Sequence, residues 1–167
     1  MMVILFTCSN FTLMQVRTDR TLPYYAGDDN PNLDRLRDIL LTYPFYNFDL
    51  GYCQGMSDLL SPILFVMEDE SESFWCFVAL MERLGPNFDR DQNGMYSQLL
   101  ALSKLVEILD SPLHNYFKQA DCLNYLFCFR WILIQFKREF VHDSLYFLTS
   151  KKSTKLHSVD ICSTYIA

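Results

Sequence analysis

An all-α chain, an irregular multi-helix array, is what this sequence predicts, and three observations carry the prediction. Apolar residues recur at three-and-four spacing in several separate segments. Proline, glycine and Asx residues punctuate those segments where helices start and stop. No stretch alternates apolar and polar residues between hairpin turns, as a half-buried strand would.

Each element follows from these rules. Asn30 is an N-cap and Pro31 stands at the first helical position, where a missing N–H costs nothing. Leu33, Leu36, Ile39, Leu40 and Tyr43 then form one stripe, which Pro44 is expected to stop. A short aromatic connection, 45–49, leads to Gly51-Tyr52-Cys53-Gln54-Gly55. Residues 56–67 resume helical character, and Pro62 inside them should bend the helix. The acidic segment 68–72 introduces a helix through Phe74, Trp75, Phe77, Val78, Met81 and Leu84, terminated by Gly85-Pro86. Residues 87–94 read as a polar surface loop. Met95, Leu99, Leu102, Leu105, Val106 and Leu109 form the next stripe, closed by Asp110, and Ser111-Pro112 caps a shorter segment through Tyr116 and Phe117. Residues 123–140 are the last expected helix. Trp75, Phe77, Phe127, Phe129 and Trp131 are expected in the core, because they sit at helical spacing within apolar runs.

The two ends follow none of these rules. Residues 1–14 and 141–167 lack capping logic and amphipathic period, so both are expected to be poorly ordered or loosely docked. The middle can bury a core, since half of the 167 residues are hydrophobic and 16% aromatic. A length of this order suits one domain.

Composition excludes several classes of function. A net charge of −6, with no basic stripe outside Lys137-Arg138 and Lys151-Lys152-Lys155, argues against nucleic acid as a partner. The six cysteines form no C-x-x-C pair and no cluster with histidine, so reduced, mostly buried thiols are expected and no metal site. The apolar start at 1–6 has no preceding basic residue and no clean cleavage site, so a secretory signal is not expected. The longest apolar run, 123–136, is interrupted by Asn124, Arg130 and Gln135 and is shorter than the roughly 20 residues a bilayer needs. A cytoplasmic location follows from these readings.

Chemistry concentrates at the turn before the second helix. Two glycines four apart permit a tight backbone turn, and the following helix is expected to offer unpaired N–H groups and a positive dipole end. Such a turn can present Gln54 outward. An amide that both donates and accepts can hold a water in line for attack without taking its proton. The segment Arg17-Thr18-Asp19-Arg20-Thr21 supplies arginines, and an arginine delivered to a transferring phosphoryl group neutralises charge developing on its oxygens. Asp58, in the first turn after the glutamine, suits the helix dipole and the support of the loop. For each of these residues there is a plainer reading: Gln54 as a polar cap at a helix start, Arg17 as a surface arginine, Cys53 as a structural thiol with no sequence feature to pair it with His114.

Taken together and in order, Arg17-Thr18-Asp19-Arg20-Thr21, Asp29-Asn30-Pro31-Asn32-Leu33, the 51–58 segment, Phe74-Trp75-Cys76-Phe77, Phe129-Arg130-Trp131 and Phe136-Lys137-Arg138-Glu139-Phe140 resemble the TBC family. These are the GTPase-activating domains for Rab-type small GTPases, and the likeness is strongest to the subgroup with the Arg-Thr-Asp-Arg variant. The resemblance runs from about 16 to 140. It implies a partial TBC domain between a non-family segment, 1–15, and a non-family tail, 141–167, as in a truncated or alternatively spliced product or a misassembled gene model.

The family's Y-x-Q-G motif, which carries a glutamine finger, maps onto Tyr52, Cys53, Gln54 and Gly55. Its I-x-x-D-x-x-R arginine-finger motif ends on Arg17, with Met14 at the aspartate position and Phe11 at the isoleucine position; Arg20 is the alternative finger. The resemblance therefore implies Gln54 and Arg17 as the catalytic pair, with Arg20, Tyr52, Gly55 and Asp58 binding the partner or supporting the loop. It implies an activator that works on a partner's active site in vesicle trafficking. GTP and magnesium would be carried by the Rab, the chain would have no cofactor of its own, and contact with endomembranes would be peripheral, through the lipidated partner. A catalytically impaired Rab-binding fragment or interaction module is the alternative.

Overall fold

In a computed structural model the described residues are 23–27 and 29–139. They form six α-helices: α1 Pro31–Tyr46, α2 Met56–Met67, α3 Glu70–Leu84, α4 Asn93–Leu109, α5 Ser111–Gln119 and α6 Phe129–Leu133. Three short 3-10 turns, Pro23–Tyr25, Gly85–Asn87 and Leu126–Cys128, complete the set. No strand occurs among the described residues, as the all-α expectation requires. The expectation of poorly ordered ends falls outside them. Two compact units divide the chain, one containing 23–83 and the other Leu84–Glu139.

The first unit begins where the sequence rules place it. Asn30 caps α1 by accepting a hydrogen bond on Oδ1 from the Asn32 N–H at 2.9 Å, and its Nδ2 donates to the Tyr24 and Ala26 carbonyls. The helix start is thereby tied to the Pro23–Tyr25 turn. Leu33, Leu36, Ile39, Leu40 and Tyr43 are all buried, the full stripe read from spacing. Pro44, however, does not stop the helix, which runs on to Tyr46. So close to the end, the ring removes only one hydrogen bond, and the Tyr46 ring meets Phe74 and Trp75 edge-on, at 6.0 and 5.8 Å between centroids.

Helix α2 is enclosed on nearly every side, with ten of its twelve residues buried, Ser57, Asp58 and Ser61 among them. It continues through Pro62. Tyr25, fully buried, donates its hydroxyl hydrogen bond to the Ser61 carbonyl at 2.7 Å, and burial pushes its phenol well above the ordinary value. Helix α3 starts behind Asp69, whose Oδ1 accepts from the Glu72 N–H at 2.9 Å. It reaches the core through Phe77, whose ring meets Tyr43 of α1 at 5.1 Å. Leu36, Leu40, Leu60, Leu64, Phe77 and Met81, contributed by all three helices, are fully buried.

The second unit is thinner. Its core cluster is Leu99, Tyr125 and Cys128, with Leu102, Val106, Phe117, Phe129, Trp131 and Ile132 half-buried against it. Asp110 joins α4 to α5: its N–H donates to the Val106 carbonyl, closing α4, and its carboxylate accepts from the Leu113 N–H, opening α5. The N-cap is therefore Asp110, with Ser111 the first helical residue.

Four sequence expectations need correction here. Residues 123–140 do not form one helix; a 3-10 turn is followed by five helical residues and a stop. The stop is a Schellman motif: the Phe136 N–H donates to the Trp131 carbonyl and the Gln135 N–H to the Ile132 carbonyl. Gln135 and Phe136 take left-handed φ of 52° and 58°, and the Phe136 ring stacks on Trp131, the apolar contact that accompanies this motif. The polar loop at 87–94 is only partly a surface loop, since Asn87 and Phe88 are buried and the Asn87 Oδ1 accepts from Gln98 Nε2 at 2.7 Å. Leu105 and Leu109 of the α4 stripe are 51% and 75% exposed. Trp75 and Phe127 are exposed, leaving only Phe77 of the five expected core aromatics fully buried.

Candidate functional site

The turn before α2 is built from its upstream side by one residue. Asn47 follows α1; its N–H donates to the Tyr43 carbonyl at 2.9 Å and its own carbonyl accepts from the Gly51 N–H at 3.2 Å. Its side chain does as much: Nδ2 donates to the Tyr43 hydroxyl at 3.3 Å and Oδ1 accepts from the Leu50 N–H at 3.3 Å. Burial raises the Tyr43 phenol, an effect the hydrogen bond from Asn47 opposes and the neighbouring Tyr46, Cys53 and Glu82 reinforce. Asn47 thus locks the chain between α1 and Gly51 to a buried tyrosine. The sequence pass missed this brace, although an Asn directly after the last residues of a helix is a recognised stop signal.

Gly51 and Gly55 both take positive φ, 65° and 105°, the conformations the two-glycine spacing called for. The Met56 N–H donates to the Cys53 carbonyl at 3.2 Å, closing a turn with Gln54 and Gly55 at its corner. Left-handed Gly55 occupies the third position, where a type II turn demands φ > 0. The Gly55 carbonyl then accepts from the Asp58 and Leu59 N–H groups at 3.0 and 3.2 Å, so turn and helix are continuous. The helix start is consequently less open than expected: the Met56 and Asp58 N–H groups are already bonded within the chain.

Gln54 is exposed at the tip of this turn, Gly55 beneath it is buried, and Tyr52 is half-buried. Asp58, in the first turn of α2, is 7% exposed, which suits support of the loop better than contact with a partner. The structure brings Tyr52, Gln54, Gly55 and Asp58 together on one rigid segment. Arg17, Arg20, Met14 and Phe11 lie outside the described residues.

Other chemistry finds no support in this region. Cys76 and Cys128 are buried and Cys53 and Cys122 half-buried; Cys8 and Cys162 lie outside the described residues. No group of three His, Cys, Asp or Glu side chains among the described residues is placed to hold a metal ion. No helix among them is long and apolar enough to cross a membrane.

An all-helical domain that holds an exposed glutamine on a glycine-bounded turn ahead of its most buried helix is the class defined so far. The chain belongs to the Rab-GTPase-TBC domain family, whose pattern it matches over residues 8–149. That span extends beyond 16–140 on both sides and includes Arg17. Among curated relatives, it is 55% identical over 124 residues to TBC1 domain family member 17 of Mus musculus, covering 74% of this chain and 19% of that protein. It is 46% identical over 129 residues to the GTPase-activating protein GYP7 of Candida glabrata, covering 75% of this chain and 17% of that one. The chain therefore spans about a fifth of the length of these relatives. A crystal structure of the Ypt/Rab-GAP domain of Gyp1p shares the fold, with a TM-score of 0.71 at 24% identity over 94% of this chain and 56% of that one.

Proposed function

We propose that this chain accelerates GTP hydrolysis on a Rab-type small GTPase by inserting side chains into the partner's nucleotide site. The observation that carries the reading is the exposure of Gln54 on a turn fixed by Gly51, Gly55 and Asn47. A glutamine held this way loses little further freedom on docking, so its amide can orient the attacking water without a large ordering cost. Arg17, within the family match, neutralises charge developing on the transferred phosphoryl group, a contribution on the order of a thousandfold or more when supplied in trans. Tyr52, Gly55 and Asp58 shape and support the turn, and Arg20 binds the partner. The functional segment in this reading is 16–140. GTP and magnesium belong to the GTPase, and the chain meets endomembranes peripherally, through that lipidated partner.

Single-turnover GTP hydrolysis across a Rab panel tests this. Gln54→Ala should reduce the acceleration by about a hundredfold or more, and Arg17→Ala should reduce it at least as much. Full acceleration by Gln54→Ala would overturn the proposal. A second reading, a Rab-binding module without a competent arginine, is favoured by Met14 at the aspartate position of the arginine motif; it predicts binding selective for the GTP form with no acceleration.

A further inference from the structure

Beside the glutamine turn lies an aromatic surface that the packing of the first unit does not use. Phe45, Tyr46, Phe48 and Trp75 are 74, 52, 71 and 59% exposed. The Trp75 ring is held edge-on by Tyr46 at 5.8 Å and by Phe74 at 5.3 Å. The Tyr46 and Trp75 rings are held by each other and by Phe74, so they present apolar area with little rotamer freedom left to lose. Around them stand exposed carboxylates: Asp49 beside Phe48, and Glu70 and Glu72, one helical turn ahead of Phe74 and Trp75. An apolar aromatic centre with a charged rim is the anatomy of a protein-docking site, and aromatic residues are where binding energy concentrates.

We infer that this surface is the docking face for the same GTPase whose nucleotide Gln54 addresses, an inference that rests on the function proposed above. Continuity with the turn selects this occupant. A standard interface of about 800 Å² per partner is a disc of roughly 16 Å radius. Phe48 and Gln54 are six residues apart, at most about 20 Å even in an extended chain, and the Asn47–Gly51 turn shortens that path. A partner of that footprint seated over Gln54 reaches toward Phe48, and Trp75 joins the same surface through its ring contact with Tyr46. The division of labour is then definite: Gln54 acts on the reaction rate, while Phe48 and Trp75 set how tightly the partner is held.

Titrating the chain in single-turnover hydrolysis, against the Rab that responds best in the panel, separates the two roles. Phe48→Ala and Trp75→Ala should each raise the half-saturating concentration about tenfold or more with the limiting rate unchanged; Phe48→Ala, at an exposed side chain outside the ring contacts that hold Tyr46, should also leave the thermal midpoint unchanged. Gln54→Ala should lower the limiting rate and leave half-saturation near wild type. An unchanged half-saturation in both aromatic variants, with Gln54→Ala still defective, overturns the docking face and leaves the proposed function standing. If no Rab is accelerated, binding of Rabs loaded with a non-hydrolysable GTP analogue decides: weakening by the aromatic substitutions supports the face without the catalysis, and no binding overturns both. Self-association of the wild-type chain that these substitutions abolish, with half-saturation unaltered, also overturns it by assigning the surface to a second copy.

Discussion

The two units of this chain solve the burial problem differently. In residues 23–83 the helix α2 is enclosed, with ten of twelve residues buried, and its neighbours contribute Tyr25, Leu36, Leu40, Phe77 and Met81 to the same core. In Leu84–Glu139 the helix α4 is longer, at 17 residues, yet only Met95 and Leu99 are buried, while Leu105, Ile108 and Leu109 are more than half exposed. The difference teaches where precision comes from. Gln54 is mounted at the start of the enclosed helix, where surrounding side chains fix position, and not on the helix with the freer surface.

The comparison can be broken or sharpened by four substitutions, taken in order of expected effect. Leu60→Ala empties part of the enclosed core and should cost about 3 kcal/mol, within the range for buried leucines, read as a lower urea midpoint. A cost below about 1 kcal/mol would mean that α2 is less tightly enclosed than its burial indicates. Gly94→Ala probes the thinner unit where it is tight, because an added Cβ would collide with the Pro86 carbonyl. About 1 to 3 kcal/mol is expected by the same titration, which would show that the second unit has rigid contacts at its start.

Tyr25→Phe should cost about 1 kcal/mol at neutral pH through loss of the hydrogen bond to the Ser61 carbonyl. Its pH dependence has a definite sign. The Tyr25 phenol is raised in the folded state by burial, so its contribution is fully present below the unfolded value of about 10 and is lost as pH rises above it. Thermal midpoints measured upward from pH 9 should fall less steeply in the phenylalanine variant than in wild type. The smallest effect belongs to Ile108→Ser in the second unit. At 78% exposure it should change stability by no more than about 0.5 kcal/mol. A loss comparable to that of Leu60→Ala would erase the contrast between the units.

Periodicity and punctuation were enough for much of the architecture. The Asn30–Pro31 start, the five-residue stripe of α1, the exact span of α2 and the stop at Gly85-Pro86 were all legible, because capping and amphipathic spacing are local properties of the chain. The two-glycine turn was legible for the same reason: positive φ is a demand that glycine meets and most residues do not. With it came Gln54 as the candidate, and the family to which the chain belongs.

Tertiary structure alone decided the rest. The sequence could not say that the last turn of α1 would tolerate Pro44, because Tyr46 is held there by rings from α3, distant in sequence. Nor could it separate Phe77, fully buried, from Trp75, two residues earlier and exposed. Both sit in the same apolar run, and which face a helix buries is set by what packs against it. The break after Leu133 was equally hidden, since left-handed Gln135 and Phe136 carry no glycine signal and are repaid through Trp131. So was the brace from Asn47 to Tyr43, which depends on where a buried hydroxyl points. Local propensity determined where helices and the glutamine turn begin; partners from elsewhere in the chain determined which side chains remained outside to meet another molecule.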